Sequence, residues 1–241
     1  MKSAFILVAS LLAAGCSSTT SSTPQDSGAA PADAGKEAAA VTCTSARDQL
    51  LKPIAQVSTG AVTVIKTEGD VRTFYIDAAA GGPTGATTKP RVYLNLDSGA
   101  RVDIDDVSAE TSTDWDLAFK RSVVFSNGGD AGPGAGGVGF VKKDFAAVSA
   151  ADEAAASVGV ENFLNDDCEP QLDRINNPLT AFGEWYDYDT ATNVLTPASR
   201  VYVVKSAAGK LYKLQFLSFY ANPDGSTGST GGRFTLKVAP L

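Results

Sequence analysis

Residues Trp115–Gly139 read WDLAFKRSVVFSNGGDAGPGAGGVG, patterned as a strand in the first half and a glycine loop in the second. The odd-numbered Trp115, Leu117, Phe119, Val123 and Phe125 point to one face of an extended chain. Asp116, Ala118, Lys120, Ser122 and Val124 point to the other. Arg121 falls on the apolar face, where an unpaired guanidinium is costly. Either a bulge re-aims it, or a carboxylate or a ligand holds it there; Asp114 and Asp116 are near in sequence.

Outward from this segment, period-two alternation recurs. Ala61–Lys66 and Val71–Asp77 flank Thr67-Glu68-Gly69-Asp70, which reads as a hairpin turn. Arg91–Leu96 and Ala100–Ile104 flank Asp97-Ser98-Gly99, and Val201–Lys205 and Lys210–Tyr220 flank Ser206–Gly209. Phe234, Leu236 and Val238 alternate with polar neighbours in a closing strand. Only Ser45–Leu51 and Phe145–Ser157 suggest helix, both short. Closely spaced strands with almost no amphipathic helix predict a mainly β fold.

The first forty residues read differently. Lys2 followed by the apolar run Ala4–Ala14 is too short to span a bilayer and reads as a signal peptide over residues 1–15. Leu12-Ala13-Ala14-Gly15-Cys16 is patterned as a lipoprotein cleavage signature, with lipid carried on Cys16. The alternative is an ordinary secretory signal. Two or three acyl chains on one cysteine would anchor stably where one holds only marginally. Ser17–Val41 lacks aromatic residues and has a single branched aliphatic, so it reads as a linker with a reach of roughly 25–30 Å. The expected organisation is signal peptide 1–15, lipidated cysteine and linker 16–42, and one β domain 43–241. Ser17 is compatible with outer-membrane sorting.

The chain has 27 acidic against 20 basic residues, a net charge of −7, which argues against nucleic acid and against a patch for anionic lipid. With Cys16 acylated, Cys43 and Cys168 remain. Outside the cytoplasm that pair reads as a disulfide closing about 125 residues, worth roughly 4–5 kcal/mol in the chain-entropy model. Two free thiols, one as a metal ligand, are the alternative.

Gly132–Gly137 matches G-x-G-x-x-G, but the continuation Val138–Val141 is patterned as strand, and no G-K-[ST] is present. A nucleotide site needs a helix there, so the loop reads as a wide, mobile β connection with glycine supplying positive φ. The acidic runs Asp103–Asp106 and Asp166-Asp167 lack a calcium-loop frame and read as solvated turns. In Phe182–Asp189, FGEWYDYD, the residues Trp185, Tyr186 and Tyr188 read either as core packing or as a stacking wall for a flat ligand. The chain has no histidine, and its cysteines are expected to be oxidised, so nothing points to catalysis.

Four blocks together resemble the HmuY family of bacterial lipoproteins. The first is Trp115–Arg121 running into Asn127-Gly128-Gly129-Asp130-Ala131-Gly132-Pro133-Gly134. The others are Arg91–Leu96 before Asp97-Ser98-Gly99, Glu184–Asp189, and Val201–Lys205 with Gly209–Tyr220. The resemblance implies a β-rich single domain with a cleft between sheet edges and loops, the glycine loop on its rim. It implies capture of haem, or another flat hydrophobic ligand, for a TonB-dependent outer-membrane receptor. Arg121, Asn127, Gly128, Gly129, Trp185, Tyr186 and Tyr188 are the ligand-contact candidates. Studied relatives hold haem iron with histidine or methionine, and here histidine is absent and Met1 is the only methionine. The two-ligand geometry cannot be built, which leaves a tyrosinate or a reduced cysteine, with Tyr186 or Tyr188 preferred. The alternative is a structural or protein-interaction lipoprotein of the envelope on the same fold.

Overall fold

The computed structural model describes residues 43–183 and 185–241. The expected signal peptide, Cys16 and the linker through residue 42 lie outside the described residues. Strands account for 38% of the chain and helix for 15%, so the mainly β reading holds.

Helix α1 (Thr44–Leu51) leads into hairpin β1 (Val62–Glu68) and β2 (Val71–Asp77), and then a four-residue helix, α2 (Gly82–Gly85). Strands β3 (Val92–Asn95) and β4 (Ala100–Val102), the short α3 (Asp106–Ala109), β5 (Leu117–Lys120), β6 (Val123–Ser126) and β7 (Gly137–Val141) follow. After α4 (Glu153–Ala156) come β8 (Tyr186–Asp189), β9 (Val194–Pro197), β10 (Val201–Lys205), β11 (Leu211–Ser218) and β12 (Arg233–Pro240). A six-stranded sheet runs β1-β2-β12-β11-β10-β7, a four-stranded sheet runs β4-β3-β5-β6, and β8 pairs β9. All pairings are antiparallel.

The main core lies between the two larger sheets. Phe74, Ile76, Leu214, Leu236 and Val238 come from the larger sheet, and Leu94, Leu117, Phe119 and Val124 from the smaller. The smaller sheet is apolar on both faces: Tyr93, Ala118 and Phe125 turn outward onto Trp115, Phe163 and the underside of α1. Burial on both faces is why its strands read as near-continuous apolar runs.

That double burial overturns the one-strand reading of residues 115–125. Lys120 pairs Val123, so Arg121 and Ser122 form a two-residue turn and Arg121 takes a left-handed φ of 54°. The reversal shifts parity: Val124 shares a face with Phe119, while Val123 and Phe125 share one with Ala118. Arg121 therefore sits at a hairpin tip, where its guanidinium donates to the Gly231 carbonyl and lies 5.9 Å from the Phe219 ring centre. Among the described residues no carboxylate holds it.

The expected helix at Phe145–Ser157 is broken into two 3₁₀ turns and α4. Val148 is extended and buried beside Val201 and Val203 on the outer face of the larger sheet, which interrupts helical geometry. Ser149 then caps the second turn through a reciprocal box with Asp152. Cys43 and Cys168 are joined by a disulfide, tying the start of α1 to the turn at 165–168.

Candidate functional site

The strand-and-glycine segment proves to be framework. Asn127 is fully buried; its amide donates to the Ser112 and Trp115 carbonyls, both at 2.9 Å, and its Oδ1 accepts from Gly134 N–H at 3.1 Å. The loop thus folds back onto Asn127 and is not a wide connection. A Cβ on Gly128 would lie 2.1 Å from the Gly136 carbonyl oxygen. One on Gly129, at φ 60°, would lie 2.1 Å from the Glu161 carbonyl oxygen. Between Gly128 and Gly139 only Gly129 has a positive φ, so close backbone approach accounts for the other glycines there. Asp116 clamps the two sheets: its carboxylate accepts from Leu96 N–H at 2.6 Å and Ala207 N–H at 2.7 Å. Burial raises its pKa, and those amides oppose the shift.

The aromatic candidates also turn inward. Trp185 is 1% exposed, stacks on Phe216 at 4.6 Å and donates its indole N–H to the Ser122 carbonyl at 2.9 Å. Tyr186 is 4% exposed in the same core. Tyr188 is half-buried and donates its hydroxyl to Asn193 Oδ1 at 2.5 Å. Trp185 and Tyr186 are therefore core packing, with no exposed ring face to offer a flat ligand.

Tyrosinate chemistry is disfavoured elsewhere as well. Burial raises the pKa of Tyr75, Tyr93, Tyr202 and Tyr212, and neighbouring carboxylates Asp77, Asp106 and Asp97 reinforce the rise at Tyr75, Tyr93 and Tyr212. The acidic run at 103–106 is divided among structural tasks. Asp103 pairs Arg101, Asp105 caps α3, and buried Asp106 accepts from Arg91, Tyr93 and the Ile54 amide. Among the described residues no group of three or more His, Cys, Asp or Glu is placed to hold a metal ion.

A cavity of about 580 Å³ opens where β2 ends. Its walls are residues 56–60, the small-residue run Asp77–Gly82, Lys89, Pro90, Val92, Thr230 and Arg233. The run stays narrow because Ala78, Ala79 and the glycines lack bulk. A Cβ on Gly60 would meet the Asp77 carbonyl oxygen at 2.1 Å, so the two walls touch there. Val92 and Pro90 supply buried apolar surface, and Val57 adds an exposed apolar edge. Arg233 pairs Asp77 at 3.2 Å, and the Asp77 carboxylate also accepts from Ala79 N–H at 3.1 Å. The exposed Lys89 makes no ion pair among the described residues and leaves a positive charge at the rim.

No sequence-predicted contact residue lines this cavity. The signal available was the run Asp77-Ala78-Ala79-Ala80-Gly81-Gly82-Pro83, where a strand gives way to residues too small to fill the space beside them. The cavity's volume falls within the ~300–1,000 Å³ usual for small-molecule sites.

The family model described as HmuY protein matches residues 87–231, more than half of the chain. Among solved structures the chain is similar to one described as an HmuY-like haem-binding protein from Bacteroides vulgatus. They share 19% identity over 75% of this chain and 99% of that one, with a TM-score of 0.47. For the apo HmuY analogue of Tannerella forsythia the figures are 14%, 77%, 99% and 0.43. For apo PinO from Porphyromonas gingivitis they are 13%, 76%, 96% and 0.39. At that depth the superpositions carry no argument, and the assignment rests on the family model. No curated protein matches the chain.

Proposed function

The chain belongs to the HmuY family, and on that premise we propose that it is a lipid-anchored outer-membrane binding protein. Its ligand is haem or another flat hydrophobic molecule with acidic groups, taken into the 580 Å³ cavity and passed to a TonB-dependent receptor. The observation that carries this reading is the cavity itself, with apolar walls at Val92 and Pro90 and the cation Lys89 at its rim, Arg233 being paired to Asp77.

Among the described residues its lining contains no tyrosine, cysteine, methionine or histidine, the usual ligands of haem iron. Retention then comes from packing and from charge on the ligand's carboxylates. Titrating purified protein with hemin and with metal-free porphyrin tests this. Both should bind with affinities within a few-fold of each other. A tenfold preference for hemin would place an iron ligand on the protein and overturn the mode. No spectral change with either at micromolar protein would overturn tetrapyrrole capture and favour a structural or interaction role in the envelope.

A further inference from the structure

A second cavity, about 190 Å³, lies beside the segment that carries Arg91, between the end of α1 and the β5–β6 turn. Four cationic residues line it: Lys52, Arg91, Lys120 and Arg121. Among the described residues no carboxylate does. We propose that this cavity binds a small carboxylate with an apolar body, its oxyanion seated on Lys120 within the positive field of Lys52, Arg91 and Arg121. The site is separate from the larger cavity and does not depend on the function proposed for it.

Electrostatics select the sign of the ligand. Lys120 is half-buried at the end of β5, and its ammonium makes no hydrogen bond or ion pair among the described residues. Arg91 is 5% exposed; its Nη1 pairs Asp106 at 3.0 Å, its Nη2 donates to the Leu51 carbonyl at 2.5 Å, and its Nε has no partner. Among the described residues Asp106 pairs Arg91 alone, and one carboxylate against four cations leaves the cluster net positive. The Arg121 guanidinium is turned to a neutral carbonyl, Gly231, and has no counterion among the described residues.

A buried or half-buried ammonium without a partner is costly, and the protein registers the cost. Burial, with repulsion from Arg91 and Lys52, lowers the Lys120 pKa to about 8, while Asp106 acts in the opposite direction. An anion seated here would relieve that repulsion and raise the pKa again. Apolar atoms of Leu50, Val123 and Pro178 complete the walls, which favours an organic anion over a bare inorganic one.

Calorimetric titration of the purified protein with benzoate, benzamide and sulfate at low ionic strength is the test. Benzoate should bind with 1:1 stoichiometry at pH 7 and at least fivefold more weakly at pH 9.5, where Lys120 has lost its proton. Benzoate itself stays ionised throughout. Lys120→Gln should weaken benzoate tenfold or more at unchanged far-ultraviolet circular dichroism. Lys66→Gln, which removes an exposed ion pair with Glu68, should leave it unchanged.

Benzamide binding as tightly as benzoate would overturn the role of charge. Sulfate binding as tightly would overturn the organic-carboxylate assignment, and no heat from benzoate at millimolar concentration would overturn the site. Acylation of lysines by an amine-reactive ester at pH 8, mapped by mass spectrometry, gives a second readout without mutation. Benzoate should protect Lys120 selectively, and equal labelling with and without it would overturn the proposal.

Discussion

The glycine loop after β6 and the cavity at the end of β2 are both rich in small residues, yet they use them in opposite ways. In the loop, smallness is consumed: Gly128 abuts the Gly136 backbone, and every polar atom of the Asn127 amide is engaged. At Asp77–Gly82, smallness is left open as about 580 Å³ of space. One region has a recognisable motif and no vacancy; the other has a vacancy and only a run of small residues to announce it. Small side chains therefore permit either tight backbone contact or an empty volume, and neighbours on other strands decide which.

This contrast makes stability and binding separable. The largest effect is expected from Gly128→Ala, because the added Cβ collides with backbone: a loss above about 4 kcal/mol by urea unfolding. Gly69→Ala, at φ 58° in open space, should cost about 1 kcal/mol and serves as the reference for conformational strain alone. Next comes Asn127→Ala, which strips three hydrogen bonds from a fully buried site, at about 3 kcal/mol. A loss under 1 kcal/mol there would mean the loop holds itself closed without the amide.

Glu161 gives a pH-dependent version of the same test. Its carboxylate is 1% exposed and accepts from Ser126 N–H at 2.8 Å, Ser126 O–H at 3.0 Å and Ala181 N–H at 2.7 Å. Burial raises its pKa to about 7 against a reference of 4.5; the hydrogen bonds oppose the rise and Asp130 adds like-charge repulsion. The folded state thus holds this proton where the unfolded chain has released it. Glu161's contribution is fully present below about pH 4.5 and lost as pH climbs through 7, amounting to about 3 kcal/mol. Glu161→Gln should flatten that segment of the stability–pH curve; an unchanged slope would reject the assignment.

The smallest effect on folding belongs to the cavity rim. Thr230 is exposed, so Thr230→Trp should change stability by no more than about 0.5 kcal/mol. The indole would occupy the cavity, and hemin affinity should fall at least tenfold. Unaltered affinity would place the ligand elsewhere.

The sheet framework was legible because its strands alternate or run apolar between recognisable turns: β1–β2, β3–β4 and β10–β11 all fall where the pattern puts them. The two-residue turn at Arg121 was missed because a non-glycine residue adopts left-handed φ there, leaving no turn signal in Lys120-Arg121-Ser122. Trp185 and Tyr186 were ambiguous for a different reason. A ring that stacks on Phe216 and one that would stack on a ligand read the same in sequence, and only three-dimensional packing tells them apart. The cavity was hidden because its walls come from four distant segments, and the small-residue run at 77–82 does not by itself say which segments it will face.

The bond between Cys43 and Cys168 gives the leading end of the described chain two points of attachment. Tension applied ahead of Cys43 divides there, part entering α1 and part crossing sulfur into the turn at 165–168. Because Leu51 and Trp115 pack in the same cluster as Cys43, peeling α1 away would strip one flank of the smaller sheet. The crosslink diverts load from that weak seam, so under reduction the same pull would reach the seam undivided.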